Sequence, residues 1–368
     1  MKQKYYRLDN LDKIDAQYKM LIGERSNGKS YAVKERVLQD AYNKKKQFVY
    51  LRRWVVEIKQ NLVELYFSDM PIKKITKGEY TGVTVYNGSI YFCKNVDGKN
   101  IKGDCIGYVR ALSQEQHYTS GAYNEVDTII FEEFLSRDYY LPAETDKLAN
   151  IVSTIARRRK ITVYMIGNTI NKICPYFTEW GLEHTKDQKQ GTIELYHFNT
   201  LEQDDNGDPV VIVIAVEFCE NSGRNSKMFF GRISNMITSG EWLTREYNRL
   251  PGRLQDYNEL YHIIYVYDNL RFNLKLLSDD DGRVIWFVYP YSGDLEKENG
   301  KRIVINKWLP GYIELMSSNI VTKGFTYAVK QEIPLIDMLL SGGCVTYSDN
   351  STGTDFNNTL KGLTNGES

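Results

Sequence analysis

The residues best suited to chemistry stand close to the amino terminus. Gly23-Glu24-Arg25-Ser26-Asn27-Gly28-Lys29-Ser30 is a complete GxxxxGK[ST]. Gly23 and Gly28 let the backbone wrap so that its N–H groups point inward at phosphates. Lys29 reaches the β- and γ-phosphates, and the Ser30 hydroxyl suits Mg²⁺. The motif lies between an apolar run, Tyr18 to Gly23, and a helical stretch from Lys29 to Asp40, so a helix presents its positive end to the same anion. Arg25 and Asn27, inside the loop, are further candidate contacts to ATP.

Such a loop needs a carboxylate at the end of a neighbouring strand. Asp127-Thr-Ile-Ile-Phe131 is a β-branched run that ends in Glu132-Glu133. Glu132 is the candidate metal-side acid and Glu133 the candidate base that polarises the attacking water; without the loop, the pair would read as two solvated acids at a strand end. Arg157-Arg158-Arg159-Lys160 close the next helix. One or two cations there suit the helix dipole, and four in a row suggest an arginine that reaches a neighbouring subunit's ATP, or a contact with nucleic acid. Arg158 is the first choice and Arg157 the second. The following strand, Ile161 to Ile166, runs into Gly167-Asn168, whose amide could meet the γ-phosphate or water, or simply form a turn. Arg53, with Arg52, follows the strand Gln47 to Leu51 and is a further candidate contact to phosphate or DNA. Lys44-Lys45-Lys46, Lys73, Lys74 and Lys77 are ordinarily solvated faces that could also line a polyanion channel.

These groups imply strands that alternate with helices, and hence a mainly parallel α/β sheet with helices on both faces. Within residues 1–198, Asn87-Gly88 predicts a tight hairpin turn, and Ala143 to Arg159 a helix opened by Pro142. Residues 199–252 read as a linker with a strand from Val210 to Phe218 and a helix over 233–249. Residues 253–347 contain a meander of Tyr261 to Tyr267, Arg271 to Leu277 and Val284 to Tyr289. Residues 348–368 are polar and expected to be a disordered tail. Strand interiors such as HIIYVY and RVIWFVYP carry no acid, Asp268 lies at a strand end, and Asp279, Asp280 and Asp281 fall in a turn, which argues against two-metal nuclease chemistry.

The 368 residues are 42% hydrophobic and 26% charged, ordinary for a chain with a sizeable core. No run approaches the ~20 apolar residues of a membrane span, and the first residues lack a signal-peptide core, so a cytosolic protein is expected. Five scattered cysteines without CxxC, and four dispersed histidines, provide no disulfide framework or zinc spacing. The net charge of zero conceals an asymmetry: residues 1–200 carry 31 Lys+Arg against 24 Asp+Glu, and the remainder 16 against 23. The front half is the one suited to a polyanion.

The ordered series Leu21-Ile-Gly-Glu-Arg-Ser-Asn-Gly-Lys-Ser-Tyr-Ala32, Phe48-Val-Tyr-Leu-Arg-Arg53, Ile129-Ile-Phe-Glu-Glu-Phe134, Gly167-Asn168 and Cys174-Pro-Tyr-Phe177 resembles the DNA encapsidation ATPases of phi29-like small tailed phages, in the terminase branch of P-loop motors. Phe230-Gly-Arg232 is a weaker match. The resemblance is good over about residues 18 to 180. It implies an ASCE-type P-loop ATPase domain, a linker and a small α+β RNase H-like domain that has lost its nuclease acids. It further implies a homo-oligomeric, pentameric ring on the prohead portal, joined in the best-known members through a scaffold RNA. That ring hydrolyses ATP with Mg²⁺ to drive double-stranded DNA inward, working from the host cytoplasm and absent from the mature virion. Two positions depart from the family: Glu132 stands where Asp is usual, and Ala156 takes the most direct register of a family arginine. The alternatives are a P-loop kinase, for which neither lid nor acceptor pocket is visible, and a nucleotide-binding ring with crippled hydrolysis.

Overall fold

The computed structural model describes residues 6–24, 27–118, 121–136, 140–141, 143–168, 174–203, 207, 209–220, 246–267, 270–294, 302–305 and 344–364. The chain divides into two compact units, the first holding most residues up to 242 and the second most of those from 243 onward.

The first unit is built on nine strands: β1 (Tyr18–Gly23), β2 (Gln47–Arg52), β3 (Gly82–Tyr86), β4 (Ser89–Val96), β5 (Lys99–Ala111), β6 (Val126–Glu132), β7 (Thr162–Asn168), β8 (Thr192–Gln203) and β9 (Pro209–Phe218). Their order is β3-β4-β5-β2-β6-β7-β1-β9-β8. The central strands β5, β2, β6, β7, β1 and β9 are mutually parallel. Antiparallel pairings add β4 and then β3 on one side and β8 on the other. The helices are α1 (Lys29–Lys44), α2 (Gln60–Phe67), α3 (Ile72–Ile75), α4 (Glu144–Ala156) and α5 (Pro175–Glu179).

All six residues of β1 are buried, as a strand covered on both faces requires. Alternation divides the contacts. Leu21, Tyr50, Ile130 and Ile166 share a core with Val33, Val37 and Leu38 of α1. Phe131, facing the other way, meets the Tyr176 ring of α5 at 6.0 Å. Asn87 (φ 48°) and Gly88 (φ 70°) turn β3 into β4 in the left-handed region, as expected.

The second unit contains β10 (Asn258–Tyr267), β11 (Leu270–Ser278), β12 (Val284–Pro290), β13 (Arg302–Ile305), β14 (Val345–Tyr347) and helix α6 (Asn350–Thr364). The sheet order is β13-β10-β11-β12-β14. The expected meander is its antiparallel centre, with β13 and β14 parallel to the strands they flank. Tyr265, Phe272, Trp286, Val288, Tyr347 and Phe356 form its core. Among the described residues no cluster of three or more His, Cys, Asp or Glu side chains could hold a metal ion. No helix among them is long and apolar enough to cross a membrane.

Three expectations need correction. Residues 350–364 form a helix, not a disordered tail: the Asp349 carboxylate accepts the Thr352 N–H at 2.7 Å, capping α6, and Phe356 and Thr359 are buried. The strand assigned to the linker, β9, pairs with β1 in the first unit's sheet, and β8 runs across the expected boundary at 198. The helix expected from Ala143 to Arg159 runs only from Glu144 to Ala156. The helix expected over 233–249 lies outside the described residues up to 245, and 246–249 are not helical. Pro142 and Phe230 to Arg232 also lie outside the described residues.

Candidate nucleotide-binding and hydrolysis site

Register assembles the site. Gly23 lies opposite Asn168 in the β1–β7 pair, and Glu132 opposite Ile166 in the β6–β7 pair. The P-loop, Asn168 and the acids therefore sit side by side at the carboxyl edge of the parallel strands. Gly28, at φ 98°, turns the loop into α1 in a conformation few side chains accept. At Gly23 a Cβ would come within 3.3 Å of the Cys219 Cβ, so the loop packs directly on the residue after β9. Burial pushes the Cys219 thiol pKa up, which keeps it neutral there.

Lys29 is 4% exposed, and its Nζ donates to the Glu24 carbonyl at 2.6 Å and to Asn27 Oδ1 at 3.2 Å. Burial lowers its pKa, against the nearby carboxylates Glu132 and Glu24. Asn27 is 1% exposed, and its Nδ2 has no hydrogen-bond partner among the described residues. A buried, unsatisfied donor costs about 1–3 kcal/mol, which an anionic acceptor would recover. A cavity of about 220 Å³ brings Asn27, Gly28, Lys29, Ser30, Glu132, Glu133 and Asn168 together. A second cavity of about 740 Å³, lined by Tyr6, Leu8, Gly28, Tyr31 and Arg36 among others, adjoins the first turn of α1.

The Ser30 hydroxyl donates to Glu132 Oε1 at 2.5 Å, and the Tyr66 hydroxyl to Oε2 at 2.8 Å. Burial raises the Glu132 pKa, while those two hydrogen bonds pull it back. Glu133 has a left-handed backbone (φ 58°), and its half-exposed carboxylate accepts from Arg52 Nη2 at 2.9 Å. The same nitrogen donates to Glu57 at 2.5 Å.

Arg53 is not in this cavity. Its guanidinium grips Glu144 with two bonds, at 2.7 and 2.8 Å, and donates to the carbonyls of Glu133 (3.2 Å) and Phe134 (2.7 Å). Successive strand residues face opposite ways, so Arg52 meets the acids from one side and Arg53 fastens the chain beneath them. The expected phosphate contact is thus a buried strut. Arg53→Ala strands the Glu144 carboxylate, 1% exposed, without its cation, and should cost about 3–5 kcal/mol in denaturant unfolding. A ligand-contacting arginine would leave stability intact and weaken nucleotide binding.

Arg25 lies outside the described residues. Arg157 (φ 43°) and Arg158 (φ 68°) follow α4 with left-handed backbones. Arg157 donates to the Gly121 carbonyl at 2.8 Å, Arg159 to the carbonyls of Val126, Tyr123 and Ile155, and Lys160 to Asp15. Arg158 is exposed, and no described residue pairs with it. Both candidate arginines lie at the amino end of β7, while the P-loop lies at its carboxyl end. Seven residues of strand separate the two ends by about 20 Å, beyond the reach of a side chain into its own cavity.

Sequence reasoning missed Tyr66, Lys34 and the Arg52–Glu133 pair. None of them belongs to a spaced motif; a basic residue at a strand end was the only signal.

β7 intervenes between the P-loop strand and the acid-bearing strand, and this places the first unit in the additional-strand class of P-loop α/β NTPase folds. The comparisons agree. The family described as Podovirus DNA encapsidation protein (Gp16) matches residues 1–211, and this chain belongs to it. The chain is similar to the DNA packaging protein of Bacillus phage B103, at 34% identity over 166 residues, covering 44% of this chain and 47% of that protein. It is also similar to the DNA packaging protein of Bacillus phage phi29, at 26% identity over 274 residues, covering 66% and 76%. The matched stretch thus spans about half the length of the B103 relative. In fold, the chain is similar to a chain of the bacteriophage Phi-29 viral genome packaging motor assembly: TM-score 0.53, 20% identity, 98% of each chain covered.

Proposed function

We propose that this chain is an ATP-hydrolysing motor that drives double-stranded viral DNA into a preformed prohead. The observation that carries the reading is the 2.5 Å bond from Ser30 to Glu132, which ties the P-loop hydroxyl to the acid strand across an anion-ready cavity. Family membership and the relatives' names support the DNA-packaging part.

The residues fit a magnesium nucleotide. Ser30 and Glu132 are hard oxygen donors of the kind Mg²⁺ takes, and the orphaned Asn27 amide beside Lys29 suits a phosphate oxygen. Bound Mg²⁺ would offset charge on the phosphates. Lys29 and the loop amides hold the anion, and the larger cavity beside Tyr31 has room for a nucleoside. Glu133 takes the water's proton, and Asn168 orients the γ-phosphate or the water. Arg158 acts on the ATP of a neighbouring copy. A ring on the portal vertex satisfies that need; a pentamer, a scaffold RNA joining ring to prohead, work from the host cytoplasm and absence from the mature virion are finer parts of the same proposal. The basic balance of the front half supports contact with the DNA phosphate backbone without sequence reading. The second unit is proposed to lack nuclease activity, since Asp280 and Asp281 occupy an exposed turn and Asp279 stands at its edge.

The test is steady-state ATP hydrolysis with and without double-stranded DNA, for the natural chain and Lys29→Ala. Turnover should rise with DNA and vanish in the variant. Normal turnover in Lys29→Ala would end the P-loop reading, and phosphate transfer to a small acceptor without DNA dependence would favour a kinase.

A further inference from the structure

Glu132 has one more methylene than the aspartate usual at its position, and so one more torsion to hold. Each carboxylate oxygen has its own donor: Ser30 at Oε1 and Tyr66 at Oε2. Tyr66 is itself clamped. Its ring lies 4.6 Å from that of Tyr50, tilted by 35°, and 4.9 Å from that of Phe67, edge-on. Lys34 Nζ stands 4.6 Å from the ring centroid and donates to the Tyr66 carbonyl at 2.7 Å and to Asp69 at 2.6 Å. Lys34 is one helical turn after Ser30 on α1. The helix that supplies the hydroxyl therefore also fastens the tyrosine that aims the carboxylate.

We infer that Tyr66 is a positioning residue that holds the longer Glu132 carboxylate with only Oε1 turned to Ser30, so that a glutamate can serve where an aspartate is usual. The inference rests on the metal–nucleotide reading of the cavity. Tyr66 touches neither nucleotide nor metal in this role and acts through Glu132 alone. Phenylalanine keeps the ring and its contacts with Tyr50, Phe67 and Lys34 and removes only the aiming bond.

The experiment measures Mn²⁺ uptake by electron paramagnetic resonance in the presence of ADP, and ADP binding without metal, on the full chain. Four forms are compared: the natural chain, Tyr66→Phe, Glu132→Asp and the double variant. Tyr66→Phe should weaken Mn²⁺ binding about 10- to 100-fold, the usual effect of losing a bond to a metal ligand, and leave metal-free ADP binding unchanged. With the shorter Glu132→Asp carboxylate, the same substitution should have no further effect. Mn²⁺ binding unchanged by Tyr66→Phe, or an equal loss in both backgrounds, overturns the inference and leaves the reading of the cavity standing. Failure of the natural chain to take up Mn²⁺ with ADP overturns both.

Discussion

Arg158→Ala is expected to lower ATP turnover by about 10³–10⁵-fold while ATP still binds. That is the range for losing an arginine that stabilises phosphoryl-transfer charge. Three of the four cations after α4 are engaged by their own chain, and Arg158 is free of partners among the described residues. Its place at the amino end of β7 prevents action on its own cavity, so complementation is the sharpest assay. Lys29→Ala and Arg158→Ala subunits, each inactive alone, should regain turnover when mixed, because a neighbour with Lys29 then faces one with Arg158. No recovery on mixing, in rings shown to exchange subunits, would contradict action in trans. Full activity of Arg158→Ala alone would transfer the role to Arg157.

Glu133→Gln should reduce the hydrolysis step by about 10²–10⁴-fold, the usual contribution of a positioned general base, with nucleotide affinity retained. Single-turnover hydrolysis with pre-bound ATP isolates that step. The fold should be almost unaffected, since Glu133 is half-exposed, a glutamine oxygen can still accept from Arg52, and Arg52 keeps its bond to Glu57. The pair also has a geometric consequence: Arg52 holds Oε2, so Oε1 is the oxygen left to take a proton from water. Undiminished hydrolysis by Glu133→Gln would move the base elsewhere in the cavity.

The parts of the fold legible in the sequence are those where one physical demand dominates. β1, β2, β6 and β7 are short, nearly continuous apolar runs because both faces are covered. The hairpin at Asn87-Gly88 shows because only a few residues accept that backbone. β5 was invisible: its first half, Lys99 to Asp104, is exposed on both faces and has no period to read. The tail misled through composition. Asparagine, serine and threonine suggest coil, yet Asp349 caps a helix and threonine hydroxyls turn back onto the backbone within it. The site was legible where a local motif exists, at Gly28, Lys29 and Ser30 with Glu132 and Glu133. Arg52 and Arg53 are neighbours whose roles depend on which face each takes, and a sequence does not state that without the strand's parity. Tyr66 and Glu132 are far apart along the chain and meet only because α2 returns over the sheet.

The strand order also sets a schedule for synthesis. β1, which leads into the P-loop, is flanked by β7 and β9, and Cys219 packs on Gly23. The phosphate loop is made roughly 200 residues before its last neighbour. At the usual pace of about 5–20 residues per second, the nascent loop waits roughly 10–40 s for its seat. Until β7 is made, β1 is an apolar strand with both edges open, and until β9 is made one edge stays open. The seat of the loop is therefore complete only once β9 has been made, long after β1 itself.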